Sequence, residues 1–233
     1  MRFIYILAVL NVCSTIKCDD DSKLLSFLQI FRHGARTPML FYNEDPYKDS
    51  SYWDGLKSGQ LTEEGKQQLV ELGQYIRQRY TDFIPKNYSD KYLTVTSVSS
   101  QRNKESAASY LKGLFPEEDD LSNAIHVDNS VLARFLDPIY IMEYLKLVTT
   151  EAYFTNFIKE NEDSFKYLRK HATILIPERL LYTYFVWDAL YMETRKNLTL
   201  SKWTKSVFPE NVNNIMTVFS KTVCYNEVMQ KKG

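Results

Sequence analysis

Two arginines and one histidine lie within five residues of the chain, at Arg32, His33 and Arg36. The planar guanidinium group of arginine can donate two parallel hydrogen bonds to the oxygens of one phosphate group. An imidazole held beside a phosphorus atom whose oxygens are partly neutralised in this way can attack that atom as a nucleophile. The types and the spacing of these residues therefore favour an anion site with phosphoryl chemistry at the histidine.

The cluster follows an apolar stretch, Leu24–Phe31, in which Ser26 and Gln29 are the only polar residues. A short apolar run bounded by glycine and proline predicts a buried strand that ends in a loop. In an open α/β sheet the ligand lies at the C-terminal ends of such strands. Gly34 would let the backbone approach the ligand, and Pro38 would stiffen the exit from the loop. The alternative is an exposed basic turn with a solvated histidine.

The composition indicates an ordinary globular protein. Of the 233 residues, 44% are hydrophobic and 25% are charged, and 29 basic residues balance 29 acidic ones. Because there is no broad basic field, the chain is not expected to bind nucleic acid or an anionic membrane surface. The two arginines beside His33 would therefore act locally, on one bound anion.

Residues 1–18 predict a secretory signal peptide. They combine a positive start, an apolar core at Phe3–Leu10 and a cleavage region near Cys18. The core is too short to span a bilayer, although a membrane anchor is the alternative interpretation. Glycosylation sequons at Asn87 and Asn197 agree with a secretory route. We therefore expect a secreted or lysosomal glycoprotein.

The first half of the chain shows the pattern of an α/β sheet. Helical periodicity predicts helices at Leu61–Tyr80, where Thr62 is a candidate N-cap, and at Asn103–Phe115. β-Branched residues predict a strand at Tyr92–Val98, between these helices. Together with the strand before the cluster, this order suggests parallel crossovers. The stretch Phe41–Gly59 is rich in turn-forming residues and predicts a surface loop.

The second half is predicted to be mostly helical, like a cap placed beside the sheet. The predicted helices are Ile139–Val148, Ala152–Glu160, Ser164–Lys170, Glu178–Arg195 and a last helix that begins near Pro209 and includes Asn213–Val223. The sequence therefore predicts one domain at residues 19–233, in which residues 138–220 form a mainly helical cap.

The motif at residues 32–38, Arg-His-Gly-Ala-Arg-Thr-Pro, resembles the Arg-His-Gly-x-Arg-x-Pro signature of the histidine acid phosphatases, within the histidine phosphatase superfamily. Further segments are similar to secreted and lysosomal acid phosphatases of animals, most of all those of insect venom: Gly59–Thr62, Leu72–Arg77, Gly113–Pro116 and Leu198–Trp203. The similarity covers about residues 24–220. It implies a phosphoglycerate-mutase-like α/β fold with a mostly parallel sheet, flanking helices and a helical cap, here expected to be incomplete at the C-terminus.

The resemblance implies an acid phosphatase that hydrolyses phosphate monoesters. In the family the signature histidine attacks phosphorus and forms a phosphohistidine, which water then hydrolyses, and His33 holds that place in this chain. Arg32 and Arg36 would bind the phosphate oxygens and stabilise the charge on them. No metal or other cofactor is implied, because the arginines supply the positive charge that a metal would supply elsewhere.

Two departures from the family pattern weaken this expectation. A third phosphate arginine, in an Arg-Ser-Thr-Asp-x-Asp-Arg pattern, aligns with Thr96, and Arg102 matches the last arginine, which has a structural part in the family. Thr96 supplies no charge, which would weaken phosphate binding by about 1–3 kcal/mol. The family's late His-Asp or His-Glu pair protonates the leaving alcohol. No such pair occurs here, because the three histidines precede Gly34, Val127 and Ala172.

The missing pair affects the expected activity and the interpretation of the other histidines. His126 and His171 are predicted to be surface or packing residues. Loss of a general acid typically lowers a rate by about 10²–10⁴-fold. We expect a C-terminally truncated chain, in which Cys224 remains as a single thiol after signal cleavage and leaves a linked homodimer open.

The leading prediction is an acid phosphatase that acts through a phosphohistidine intermediate. The second is a secreted, catalytically weak phosphatase-like protein that binds a phosphorylated ligand or a partner. A cytosolic enzyme similar to phosphoglycerate mutase is a third interpretation, which the signal peptide and the sequons disfavour.

Overall fold

The computed structural model describes residues 23–130, 152–176 and 179–225 of the chain. The described residues divide into two compact units: unit 1 contains residues 23–35 and 61–129, and unit 2 contains residues 36–60, 130, 152–176 and 179–225. Each unit is described by itself below. The predicted signal peptide, the predicted helix Ile139–Val148 and the side chain of Cys224 lie outside the described residues.

In its described part, unit 1 is a mixed α/β structure. Its elements are α1 (Glu63–Arg79), β1 (Val95–Ser97), α2 (Gln101–Leu114), a 3₁₀ turn (Ser122–Ala124) and β2 (Ile125–Val127). The two strands pair in parallel, with Val95 opposite Ile125, and α2 is the crossover between them. The α/β class and both helices are therefore confirmed, whereas the observed crossover joins β1 to β2, a strand that was not predicted, and β1 is shorter than the predicted strand.

The core of unit 1 lies between its two helices and the short sheet. Its buried residues are Leu69, Ile76, Ile84, Val95, Ala107, Tyr110, Leu111, Leu114 and Phe115. The helices approach each other backbone to backbone, because a Cβ added to Gly73 would lie 2.2 Å from the carbonyl oxygen of Tyr110. A Cβ on Gly113 would lie 2.0 Å from the carbonyl oxygen of Val70. Glycine at these two positions therefore permits the contact between α1 and α2.

Arg77, near the C-terminus of α1, stabilises the fold of unit 1. Its guanidinium donates hydrogen bonds to the carbonyl oxygens of Leu114, Ile84 and Pro85 at 2.7, 2.9 and 2.8 Å. It also lies 5.0 Å from the centre of the Phe115 ring. Arg77 is therefore a structural charge at the end of α1.

The prediction of a buried strand at Leu24–Phe31 was wrong. The segment is not part of a β-ladder in the described residues, and Leu25, Leu28 and Ile30 are 84%, 82% and 71% exposed. Only one side of the segment packs: the ring of Phe27 stacks on that of Tyr80 with centroids 4.8 Å apart. An apolar run becomes a buried strand only where other elements cover both of its faces, and in the described part of unit 1 helices cover one face.

Unit 2 is helical in its described part, as predicted. Its α-helices are α3 (Ala152–Glu160), α4 (Glu162–His171), α5 (Arg179–Arg195) and α6 (Glu210–Tyr225), and 3₁₀ turns lie at Ser50–Trp53 and Lys202–Ser206. Buried residues of α5 pack against α4 and α6 in two apolar clusters, one around Leu168, Val186 and Leu190 and one around Leu180, Ile215 and Met216. The helix predicted at residues 164–170 is confirmed and begins two residues earlier.

The predicted surface loop at Phe41–Gly59 is mostly exposed, as expected, but two of its aromatic side chains are buried in unit 2. Tyr42 and Trp53 are 1% and 3% exposed, and the Trp53 indole donates a hydrogen bond to the carbonyl oxygen of Tyr47 at 2.7 Å. Turn-forming residues fix the backbone of such a segment, but the buried aromatic side chains fix where it lies.

In the described parts of both units, none of the helices has the length and apolar character needed to cross a membrane.

Candidate active site

His33 is partly buried in unit 1, at the end of the extended segment. Its Nδ1 lies 2.9 Å from the carbonyl oxygen of Gly34. Because a carbonyl oxygen can only accept, Nδ1 carries the proton and donates this hydrogen bond. In the neutral ring the lone pair is then on Nε2. The local backbone therefore gives His33 the tautomer that a nucleophile with a reactive Nε2 requires.

The backbone at Gly34 and Ala35 packs tightly against the first turn of α1. A Cβ on Gly34 would lie 2.1 Å from the carbonyl oxygen of Gly65, and a Cβ on Gly65 would lie 2.1 Å from the carbonyl oxygen of Ala35. The N–H of Gly34 also donates to Oγ of Ser106 in α2 at 3.3 Å, and the N–H of Ala35 donates to Oε1 of Gln68 at 2.9 Å. Gly34 was expected to admit a ligand, whereas in the structure it admits a helix.

Thr62 joins the loop to α1, since its Oγ1 accepts from the N–H of Gly65 and donates to the carbonyl oxygen of Ala35, both at 3.0 Å. We expect Thr62→Val to lower the free energy of unfolding by about 1–2 kcal/mol, because valine keeps the shape but loses the N-cap and the link. Thr62→Ser, which retains the hydroxyl, should lose much less. Urea unfolding followed by circular dichroism compares the two, and equal losses would contradict the hydrogen-bonding role.

Arg36 lies in unit 2, where its guanidinium is buried against Asp188 of α5. Its Nη1 and Nη2 donate to Oδ2 and Oδ1 of Asp188 at 2.9 and 2.8 Å, and Nη1 also donates to the carbonyl oxygen of Thr37 at 2.9 Å. The two side chains are 2% and 1% exposed. Oδ2 of Asp188 accepts a further hydrogen bond, from the N–H of Met39 at 2.8 Å.

Asp188 occupies one edge of the Arg36 guanidinium, and the N–H donors of a second edge take no part in this pairing. The Nη1–Nη2 end is occupied by the carboxylate. Nε–H and one Nη2–H project together from the side edge, in a fork that matches two oxygens of a phosphate. Nε of Arg36 is buried and has no hydrogen-bond partner among the described residues. The remaining donors of Arg36 therefore have the geometry to donate to two oxygens of one anion.

The structure distributes the three predicted site residues between the units. Arg32 and His33 belong to unit 1 and Arg36 belongs to unit 2. Arg32 is exposed, whereas Arg36 is 3% exposed. The alternative of an exposed basic turn is therefore wrong for Arg36. Sequence reasoning missed Asp188, although it is the only charged residue between Leu180 and Tyr191 in an otherwise uncharged helical segment.

Thr96 lies in β1 of unit 1, where the family pattern has an arginine. It is exposed, and its partner in the parallel register is His126, also exposed. His126 is thus a surface residue, as predicted. His171, at the end of α4 in unit 2, lies between the rings of Tyr167 and Trp203, with centroid distances of 4.4 and 5.9 Å, and is a packing residue.

Two carboxyl groups of unit 2, Asp45 and Glu193, are buried side by side. Glu193 is fully buried and Asp45 is 2% exposed. Burial, together with the nearby charge of Asp45, raises the pKa of Glu193 from 4.5 to about 9. Burial also raises the pKa of Asp45. In the described residues, both oxygens of Glu193 and Oδ2 of Asp45 lack a well-oriented hydrogen-bond partner, so one proton held between the two groups would satisfy an oxygen of each.

Across the described residues there is no group of three or more histidine, cysteine, aspartate or glutamate side chains that could hold a metal ion. The two signature arginines are Arg32 in unit 1 and Arg36 in unit 2, and the charge of Arg36 is paired with that of Asp188.

The chain matches one known protein family. The model of the family described as the histidine phosphatase superfamily (branch 2) matches residues 23–155, more than half of the chain, and includes the whole signature. The chain belongs to this superfamily. The resemblance on which the sequence interpretation rested is thereby confirmed.

The chain is similar in sequence to individual relatives over part of their length. The chain is 28% identical to venom acid phosphatase Acph-1 of Apis mellifera over 223 residues, which is 87% of the chain and 56% of that protein. It is 42% identical to testicular acid phosphatase of Mus musculus over 100 residues, 42% of the chain and 23% of that protein. The matched regions therefore cover little more than half the length of the venom protein and less than a quarter of the testicular one.

A solved structure is similar in fold. The phytase from Citrobacter braakii aligns with 82% of the chain and 57% of its own length, with a TM-score of 0.56 at 15% sequence identity. At this identity the comparison supports the fold alone. It agrees with the α/β class seen in unit 1 and with the family match.

Proposed function

We propose that the chain is an acid phosphatase that hydrolyses phosphate monoesters through a phosphohistidine at His33. The observation that carries the proposal is the side edge of Arg36, a buried fork of two N–H donors three residues after a histidine whose tautomer leaves Nε2 as the nucleophile. Both residues lie within the family match, and the relatives named above are acid phosphatases.

In the first step Nε2 of His33 donates its lone pair to phosphorus, a P–N bond forms, and the P–O bond to the alcohol breaks. The alcohol oxygen leaves with the bonding electrons and takes a proton. In the second step water attacks phosphorus, the P–N bond breaks and inorganic phosphate is released. Arg36, and Arg32 from unit 1, would stabilise the negative charge on the phosphate oxygens in both steps.

The proton for the leaving alcohol is the weak part of this mechanism. Residues 1–233 contain no His-Asp or His-Glu pair, so in a polypeptide of these residues the donor would be water or a carboxylic acid. We therefore expect turnover slower by about 10²–10⁴-fold than that of an enzyme with a positioned acid. The turnover rate should fall least for substrates with good leaving groups, because their oxygen leaves without a proton.

The proposal includes a location in the secretory pathway, secreted or lysosomal. The predicted signal peptide supports it, as do the two sequons, whose asparagines Asn87 and Asn197 are both exposed. The names of relatives include venom and lysosomal acid phosphatases. The single thiol of Cys224 permits a disulfide-linked dimer, and non-reducing electrophoresis of the secreted chain tests for it.

Hydrolysis of p-nitrophenyl phosphate at about pH 5 tests the activity, because p-nitrophenolate is a good leaving group. We expect measurable release by the wild-type chain, and a rate at least about 10³-fold lower for His33→Ala, since the nucleophile is lost. His171→Gln, which alters a packing histidine of unit 2, should leave the rate unchanged. Equal rates for wild type and His33→Ala would contradict the proposal.

Binding without turnover is the other informative result. If tungstate or inorganic phosphate raises the unfolding temperature of the wild type while no product forms, the chain is a phosphate-binding member of the superfamily and not an enzyme. A 31P signal at a phosphohistidine shift in acid-sensitive, base-stable form would support the covalent step directly.

A further inference from the structure

Asp188 is a charged residue in an apolar setting. It lies in α5 among the buried residues Val186, Ala189 and Leu190, and its own side chain is 1% exposed. Its carboxylate accepts from both Nη atoms of Arg36 and from the N–H of Met39. Both oxygens of Asp188 are therefore engaged by residues that belong to the signature or directly follow it.

Stability alone does not account for this buried ion pair. Removing two charges from water is costly, and replacing a buried pair by apolar side chains of similar volume is often neutral or stabilising. A buried ion pair is better explained by a functional need to hold one of its partners in a fixed position. Here the position concerned is that of the Arg36 guanidinium, because the bidentate contact fixes both its distance and its rotation about the side-chain axis.

The contact also selects the donors that remain. With the end of the guanidinium turned to Asp188 and Nη1 bonded to the carbonyl oxygen of Thr37, the side edge with Nε is the only part left for an anion. A guanidinium without Asp188 could present either edge. We propose that Asp188 is a positioning residue that orients the Nε–Nη2 edge of Arg36 toward phosphate. The inference rests on the proposed function, since it concerns the same phosphate.

Asp188 further ties this orientation to the backbone. Its Oδ2 receives the N–H of Met39, three residues after Arg36, while the N–H of Thr37 donates to the carbonyl oxygen of Gln60 at 3.0 Å. One carboxylate thus fixes the side chain of Arg36 and the chain that follows it. Displacements of about 1 Å in such a group are enough to lower catalysis by about 10²-fold.

The experiment measures binding of inorganic phosphate and of tungstate to the full chain by calorimetry, which needs no turnover. We expect Asp188→Asn to weaken binding by roughly tenfold to hundredfold, because asparagine turns an amide N–H₂ toward one Nη and loses the bidentate contact. Thr183→Val is the matched control. Thr183 is buried in the same helix and its hydroxyl donates to the carbonyl oxygen of Arg179, so phosphate affinity should stay within about twofold.

The outcomes separate the inference from the proposed function. If the wild type binds neither anion, the proposed function fails and the inference fails with it. If the wild type binds and Asp188→Asn binds equally well, Asp188 is structural only and the inference is overturned while the function stands. Weak binding by Asp188→Asn with full binding by Thr183→Val supports the inference.

Two further variants keep the test decisive if Asp188→Asn does not fold. Asp188→Glu retains the charge but lengthens the side chain, so it should fold and still weaken phosphate binding, because the guanidinium is displaced. Arg36→Lys retains an ion pair with Asp188 but has no side edge, and should weaken binding at least as much. Phosphate affinity equal to wild type in Asp188→Glu would overturn the inference.

The Nε–H resonance of Arg36, observed by NMR, should shift on phosphate addition in the wild type and not in Asp188→Asn.

Discussion

Gly113→Ala is expected to lower the free energy of unfolding by about 3 kcal/mol or more, a large part of the 5–15 kcal/mol typical of a domain. In an isolated helix this change would add up to about 1 kcal/mol of stability, because alanine has the higher helix propensity. In unit 1 the new Cβ would lie 2.0 Å from the carbonyl oxygen of Val70 and 2.8 Å from its carbonyl carbon. Because the contact is with backbone atoms, which cannot rotate away as a side chain can, the cost of the steric overlap exceeds the gain in helix propensity.

Equilibrium unfolding in urea, followed by circular dichroism, measures this loss. Lys112→Ala is the control, because Lys112 is exposed in the same helix and should change stability by less than about 0.5 kcal/mol. Gly73→Ala should resemble Gly113→Ala, since its Cβ would lie 2.2 Å from the carbonyl oxygen of Tyr110. The double variant should lose less than the sum, because separating the helices once relieves both contacts. A stabilised Gly113→Ala would show that α1 and α2 do not approach in this way.

The stability of the chain is expected to fall as the pH rises from about 4.5 to about 9, because of Glu193. The pKa of this carboxyl is raised in the folded state from 4.5 to about 9 by burial and by Asp45. The folded state therefore holds the proton more tightly than the unfolded state. The resulting stabilisation is fully present below pH 4.5 and is lost as the pH approaches 9. One pKa unit corresponds to about 1.4 kcal/mol, so two units change stability by about 3 kcal/mol.

Glu193→Gln separates this contribution from the other ionisable groups near the pair, which are Tyr42, Tyr47 and Lys48. Glutamine has the shape of a protonated glutamate and cannot ionise. We expect the variant to match wild type at pH 4.5 and to unfold at a higher temperature than wild type at pH 8.5, so that its pH profile is flatter. Glu160→Gln, at an exposed position of unit 2, should leave the wild-type profile unchanged. A wild-type profile that rises with pH over this range, or an equal slope in Glu193→Gln, would contradict the shared proton.

Local signals predicted the elements of this protein well. The periodicity of α1 and α2 and the Thr62 cap depend on neighbours a few residues apart, so the sequence contains the information directly. The long helix at Arg179–Arg195 was predicted within one residue for the same reason. The signature itself needs only types and spacing, and it led to the correct superfamily.

Properties that depend on distant residues were not predictable in this way. The burial of Leu24–Phe31 depends on which elements cover it, and the apolar run does not contain that information. Within the mostly exposed loop at Phe41–Gly59, Asp45 is buried beside Glu193, almost 150 positions away. The pairing of Arg36 with Asp188 joins residues 152 positions apart. A lone acid on an uncharged helical segment signals that a partner exists, but it does not identify the partner.

The chain that leads to His33 has a consequence for how the proposed nucleophile is supported. No backbone hydrogen bond to another backbone group is recorded for residues 24–30 in the described part of the chain, so their amide hydrogens should exchange with deuterium at nearly the rate of an unstructured peptide. The protected amides nearest to His33 should be those of Gly34 and Ala35, which donate to Ser106 and Gln68. The orientation of the His33 imidazole then depends on contacts with two helices and not on a β-sheet.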